Sequence, residues 1–143
     1  MLSAIISKLA AASLALCSTY DGGVEVTCFG PVEVTASGGY NAYARNGTVY
    51  LTRGLVEQSS EGELAFVIAH EQAHVALGHA GSRPARELEA DRWAAQVMRS
   101  AGYDPMAARG VFARLQGRRV LGFPFSLFTH PPASRRMAVI EGE

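Results

Sequence analysis

The sequence predicts one α+β domain, in which a small β-sheet packs on an active-site helix and further helices. Apolar residues alternate across residues 24–52 as they do in strands, and after residue 60 they recur with the period of a helix. The chain has 143 residues, a length that suits a single domain with a modest core. We therefore expect residues 1–143 to form a leading helix, a β region and then a run of helices.

The composition argues against several classes of protein. Thirteen basic residues balance thirteen acidic ones, so no net charge favours binding to nucleic acid or to an anionic membrane surface. The hydrophobic fraction of 48% is typical of a folded chain rather than a disordered one. No apolar run is long enough for an integral membrane span. The oligomeric state stays open.

The first 17 residues can be read in two ways. Apolar residues recur at helical spacing, which favours a packed helix, but the stretch also resembles a short signal segment with Lys8 before an apolar run. Cys17 and Cys28, the two cysteines, form either a disulfide or buried free thiols. Together these features favour a periplasmic or exported protein only slightly over a cytoplasmic one.

Turn and capping residues mark the elements after the first helix. Asn46-Gly47 favours a two-residue hairpin turn before residues 48–52, which we expect to form the edge strand of a cleft. Ser60 and Glu63 have the spacing of a capping box. Pro84 and Gly102 are typical of the start and the end of a helix. The predicted helical segments are 60–80, 84–101 and 105–143, the last comprising short helices and a His-Pro loop.

The first of these segments carries the sequence HEQAH at residues 70–74. His70 and His74 are four residues apart, so they share one helix face and can bind one metal ion. Glu71 lies about 100° around the helix, where it can take a proton from a water bound to that ion. This is the His-Glu-x-x-His arrangement of zinc hydrolases. The alternative is two buried histidines and a glutamate that are paired without a metal.

A catalytic zinc site needs a third protein ligand and an open fourth position. Glu87 and Asp91 are four residues apart and share a face of the second helix. Glu87 would bind the metal, and Asp91 would accept the other N–H of a ligating histidine and fix its tautomer. Glu89 points to the opposite side, where we expect it to pair with a nearby arginine.

The remaining two histidines are weaker candidates. His79 follows His74 by five residues, which does not match the spacing of a three-histidine zinc site. We expect it at the end of the helix or behind a ligand. His130, in the sequence FTHPP, could line the cleft, stabilise the oxyanion or occupy the open zinc position.

Taken together, these motifs resemble the zinc metallopeptidase family that includes the CAAX-prenyl-protein endopeptidase and the bacterial heat-shock peptidase HtpX. The resemblance extends from Tyr40 to Ile140, through the stretches NAYA, GTVYLTRGLV, ELAFVIAHEQAHVALGH, ELEADRWA, AGYDP and THPPASRRM. It implies a zincin-like fold with one Zn²⁺ per chain. It also implies that the zinc ligands are His70, His74 and Glu87 and that Glu71 is the catalytic base. By the same resemblance, Asp91 and Arg136 lie behind the ligands, and His130 lies near the zinc.

The expected activity is zinc-dependent endopeptidase hydrolysis of extended or unfolded polypeptides, with Glu71 activating a zinc-bound water and His130 assisting. One alternative keeps the zinc but makes the domain a latent or chaperone-like peptide binder, with the cleft blocked near His130 or Arg136. A second alternative is a metal-free helical interaction module. The sequence does not identify the physiological substrate.

Overall fold

The computed structural model describes residues 1–17, 28–79, 83–116 and 131–142. Within these ranges the chain forms six α-helices, one short 3-10 helix and a three-stranded sheet, so the predicted α+β class is confirmed. The helices are α1 (Leu2–Cys17), α2 (Arg53–Gln58), α3 (Glu61–Ala76), α4 (Pro84–Ala101), α5 (Ala108–Gln116) and α6 (Ala133–Glu141). The strands are β1 (Val32–Thr35), β2 (Ala42–Arg45) and β3 (Thr48–Thr52), and the 3-10 helix is Pro105–Ala107.

The sheet has the strand order β1-β3-β2, with β3 parallel to β1 and antiparallel to β2. Asn46 and Gly47 join β2 to β3 with φ angles of 50° and 80°, as the predicted hairpin turn requires. The prediction that residues 48–52 form an edge strand is wrong. These residues form the central strand, because β1 pairs with the side of β3 that the hairpin leaves open.

A short helix that the sequence analysis did not predict, α2, follows β3 directly. The hydroxyl of Thr52 caps it by accepting the N–H of Leu55, and the same hydroxyl donates to the carbonyl of Gly39 at 2.6 Å. Gly54 lies so close to this loop that a Cβ atom would be 2.1 Å from the carbonyl oxygen of Gly38. The helix therefore depends on contacts with a distant loop, which a β-rich local sequence does not reveal.

Different interactions end the helix α3 on its two sides. At its start, Ser60 and Glu63 exchange the two hydrogen bonds of the predicted capping box, 3.2 and 3.0 Å long. The helix ends earlier than predicted because Gly78 adopts a left-handed φ of 66°. The chain then turns back, and the N–H of His79 donates to the carbonyl of His74 at 3.0 Å.

The core of the domain is built around α3, which is buried from Glu63 to His74. Helix α4 packs along α3, and three of its small residues, Ala90, Ala94 and Ala95, are buried in the core. The expected bounds of α4, including Gly102 at its end, agree with the structure. These packed helices hold the candidate site.

Helix α1 packs against both α3 and α4, with Ile5 and Leu9 fully buried. Its last residue, Cys17, is joined by a disulfide to Cys28. The structure thus has the disulfide rather than two free thiols. Among the described residues, none of the helices is both long and apolar enough to cross a bilayer.

Candidate metal centre

Three buried side chains meet between α3 and α4. His70 and His74 of α3 and Glu87 of α4 offer ligand atoms that all lie within 4.8 Å of one another. The Nε2 atoms of the two histidines are 3.2 Å apart. The carboxylate oxygens of Glu87 lie 3.0 Å from Nε2 of His70 and 3.4 Å from Nε2 of His74. Helical spacing on α3 and the packing of α4 thus direct three donor atoms to one point.

These separations fit a zinc ion. Zinc binds imidazole nitrogen and carboxylate oxygen at about 2.0–2.2 Å with tetrahedral angles, which places neighbouring ligand atoms roughly 3.3–3.5 Å apart. The two Nε2 atoms are 3.2 Å apart, and each has one of the two Glu87 oxygens at 3.0 or 3.4 Å, so the donor set is close to that spacing. Within the described part of the chain this cluster has three members, which is the number of protein ligands in a catalytic site with one open position.

Asp91 controls the proton on His70. Its Oδ1 lies 2.9 Å from Nδ1 of His70, and because a carboxylate only accepts, Nδ1 carries the proton and donates it. Arg136 of α6 donates to the same carboxylate twice, from Nε at 2.7 Å and from Nη2 at 2.9 Å. The guanidinium of Arg136 also lies 4.4 Å from the centre of the Phe112 ring. Asp91 is therefore held from both sides while it orients His70.

The electrostatics of the cluster favour a cation. Glu71, Glu87 and Asp91 are buried carboxylates, and Arg136 balances one of their charges. Burial alone would raise the pKa of Glu87 and of Asp91, but hydrogen bonds from the histidines and Arg136 lower both. Burial alone would likewise lower the pKa of His70, but its hydrogen bonds with Asp91 and Glu87 raise it to about 9. A divalent ion would take the place of the added proton of His70 as the positive partner of Glu87.

Glu71 follows His70 on α3 and is fully buried. It is not a member of the group of three donors that converge on one point. Helical geometry turns its side chain about 100° from that of His70. Glu71 is thus next to a member of the cluster in sequence without being one of its candidate ligands.

Most of the predicted site residues come together in the structure. Helices α3, α4 and α6 supply His70, His74, Glu87, Asp91 and Arg136, with Glu71 on the same stretch of α3. His130 and the aromatic part of the His-Pro loop belong to residues 117–130, which lie outside the described residues. The role of His130 therefore stays a prediction.

His79 lies behind a candidate ligand, as expected, but its contact with Glu89 was not predicted from the sequence. Nδ1 of His79 lies 2.9 Å from Nδ1 of His74, and Nε2 of His79 lies 2.9 Å from Oε1 of Glu89. The prediction of an arginine partner for Glu89 is not met, since its carboxylate pairs with His79. The signal in the sequence is Gly78, because a left-handed residue after a helix turns the chain back towards the last turn.

The sequence of the chain matches a known protein family over most of its length. The model of Peptidase family M48 matches residues 24–86 and 81–143, two overlapping segments that together cover most of the sequence. The chain belongs to this family. Members of Peptidase family M48 are metal-dependent peptidases, typically with zinc, and the resemblance seen in the motifs is confirmed. No curated protein matches the chain.

Proposed function

We propose that this M48 protein is a zinc metalloendopeptidase with a zincin-like fold in a single domain, and that it cleaves extended or unfolded polypeptides. The observation that carries the proposal is the buried triangle of donors formed by His70, His74 and Glu87. Two imidazoles and one carboxylate at zinc-like separations match the ligand set of a catalytic rather than a structural site.

Each residue around the triangle has a role in the proposed reaction. His70, His74 and Glu87 would hold one zinc ion, and that ion, when bound, supplies Lewis acidity towards a carbonyl group and a lowered pKa for water. Glu71 takes the proton of the attacking water and later donates it to the leaving amine. Asp91 keeps the proton of His70 on Nδ1, so that Nε2 can offer its lone pair.

Strand β2 is the candidate for pairing with an extended substrate, in place of the central strand β3. Among the described strands it is an outer one, and it packs against α3. The N–H of Thr52 donates to the carbonyl of Asn41, and antiparallel hydrogen bonds alternate along a strand. In this register Ala42 and Ala44 direct their backbone groups away from β3. An extended peptide could therefore add to the sheet beside α3.

The alternative of a cleft that is blocked by Arg136 finds no support in the geometry. Its side chain is buried, and it is committed to Asp91 through two hydrogen bonds. A latent or chaperone-like binder would therefore need another group, such as His130, in the cleft.

The proposal is tested by comparing the cleavage of unfolded casein by wild type and by Glu71→Gln, with zinc measured in both. We expect one zinc ion in each protein and a rate that falls about 10²–10⁴-fold in the variant, because the general base is lost. Glu57→Gln is the matched control, since Glu57 is exposed and pairs only with Arg53 among the described contacts. Zinc in both proteins without cleavage by either would favour the latent binder, and no zinc in wild type would overturn the proposal.

A further inference from the structure

We infer that His79 and Glu89 position His74 for metal binding and set its tautomer through a relay of hydrogen bonds. The relay runs from the exposed carboxylate of Glu89 to Nε2 of His79, 2.9 Å away, and from Nδ1 of His79 to Nδ1 of His74, also 2.9 Å away. It reaches His74 at the ring nitrogen opposite to the one that faces Glu87. This inference rests on the proposed zinc site.

Metal binding fixes the direction of every hydrogen bond in this relay. His74 must offer a lone pair at Nε2, so its proton sits on Nδ1 and is donated to Nδ1 of His79. Nδ1 of His79 then accepts, which places the proton of His79 on Nε2. The carboxylate of Glu89 can only accept, so it favours that tautomer of His79.

The opposite direction would close the site to metal. With its proton on Nδ1, His79 would donate to His74, and the proton of His74 would move to Nε2, where the metal binds. The lone pair on Nε2 of His79 would then face the carboxylate of Glu89 at 2.9 Å, which is repulsive. Glu89 therefore disfavours the tautomer of His74 with its proton on Nε2, which cannot bind a metal.

The fold builds this relay at the end of α3. The left-handed Gly78 allows two hydrogen bonds that reverse the chain, from His79 N–H to the carbonyl of His74 at 3.0 Å and from Gly78 N–H to the carbonyl of Val75 at 3.2 Å. Glu89 comes from α4, two residues after the ligand Glu87. Each ligating histidine is thus oriented by a carboxylate of α4, which acts directly on His70 and through His79 on His74.

The test measures zinc affinity by competition with a chelator, and the nitrogen chemical shifts of His74 in metal-free protein labelled with ¹⁵N-histidine. We expect a proton on Nδ1 of His74 in wild type even without metal, where the Glu87 carboxylate, 3.4 Å from Nε2 of His74, favours the opposite tautomer. His79→Ala should lower zinc affinity about 10–100-fold, and Glu89→Gln roughly 3–10-fold, because a group that orients a ligand is removed or weakened. His79→Asn retains a carbonyl acceptor and should recover part of the loss. Glu57→Gln, which removes an exposed charge outside the relay, should match wild type.

The relay is overturned if both Glu89→Gln and His79→Ala bind zinc within roughly twofold of wild type and keep the proton of His74 on Nδ1. Should His79→Ala fail to fold, Glu89→Gln still decides, because Glu89 is exposed. If wild type binds no zinc, the proposed function fails, and the nitrogen shifts of the metal-free proteins decide the relay alone. In Glu89→Leu, which leaves Nε2 of His79 without this acceptor, a proton that moves to Nε2 of His74 supports the relay, and an unmoved proton refutes it.

Discussion

Replacing Asp91 by asparagine should reveal how far the metal centre depends on one buried carboxylate. Asp91 accepts three hydrogen bonds, from Nδ1 of His70 at 2.9 Å and from Nε and Nη2 of Arg136 at 2.7 and 2.9 Å. An amide of the same shape has one acceptor oxygen instead of two. In either orientation its NH₂ group meets a donor of Arg136, and the guanidinium loses its negative partner.

The size of the effect follows from burial. Asp91 is 0% exposed and Arg136 is 2% exposed, so water cannot replace the lost charge. Breaking a buried ion pair by removing one partner costs about 3–5 kcal/mol of unfolding free energy. A domain has only about 5–15 kcal/mol in total, so the variant should be markedly less stable. Zinc affinity should also fall about 10–100-fold, because a neutral amide, which can turn its NH₂ group towards Nδ1 of His70, no longer fixes the tautomer of that histidine.

Urea unfolding in the presence of a chelator measures the first effect, and zinc competition on the folded protein measures the second. Asp104→Asn is the matched control, because Asp104 is exposed and, among the described contacts, its carboxylate accepts only the N–H of Met106, at 2.9 Å, as a cap. Asparagine caps equally well, so the control should change stability by less than about 0.5 kcal/mol. An Asp91→Asn variant with wild-type urea midpoint and zinc affinity would refute the role given to the carboxylate.

Three further outcomes are expected. In metal-free protein, His70 has a folded pKa of about 9, above its ordinary 6.5, so the stability that its protonation contributes is complete below about pH 6.5 and is lost as the pH rises through about 9. Urea unfolding in chelator should show the free energy of unfolding falling by about 3 kcal/mol over this range, and a free energy that does not change with pH would contradict this. Gly54→Ala should lower stability by at least about 2 kcal/mol in thermal unfolding, because its Cβ would lie 2.1 Å from a backbone oxygen of Gly38. Gln72→Leu should lower the free energy of unfolding in urea by about 2–4 kcal/mol. The Gln72 amide now accepts the N–H of Gly30 and donates to its carbonyl, both at 2.8 Å, and leucine can do neither. An unchanged transition in either variant would count against the corresponding contact.

Helical periodicity alone predicts much of the candidate site. A spacing of four residues places His70 beside His74, and Glu87 on the same face as Asp91, and the structure brings all four side chains together. Local capping signals such as Ser60 also give the helix starts. These features could be predicted because each depends on residues within one or two helical turns.

The rest depends on contacts between distant residues. An alternating pattern shows that residues 48–52 form a strand, but it does not show that β1 pairs with the outer side of that strand. Helix α2 depends on a loop that accepts the hydroxyl of Thr52. The contact between His79 and Glu89 depends on how the end of α3 turns towards α4. None of these partners is specified by the local sequence.

The order of the site residues along the chain has a consequence for protein synthesis. The three candidate ligands lie between His70 and Glu87, whereas Arg136 follows Asp91 by 45 positions. A chain that leaves the ribosome from its N-terminus completes the hairpin of α3 and α4 before α6 emerges. The nascent chain therefore carries every ligand of the triangle before it has the guanidinium that balances Asp91. The charge network around Asp91 is therefore completed only when α6 is present.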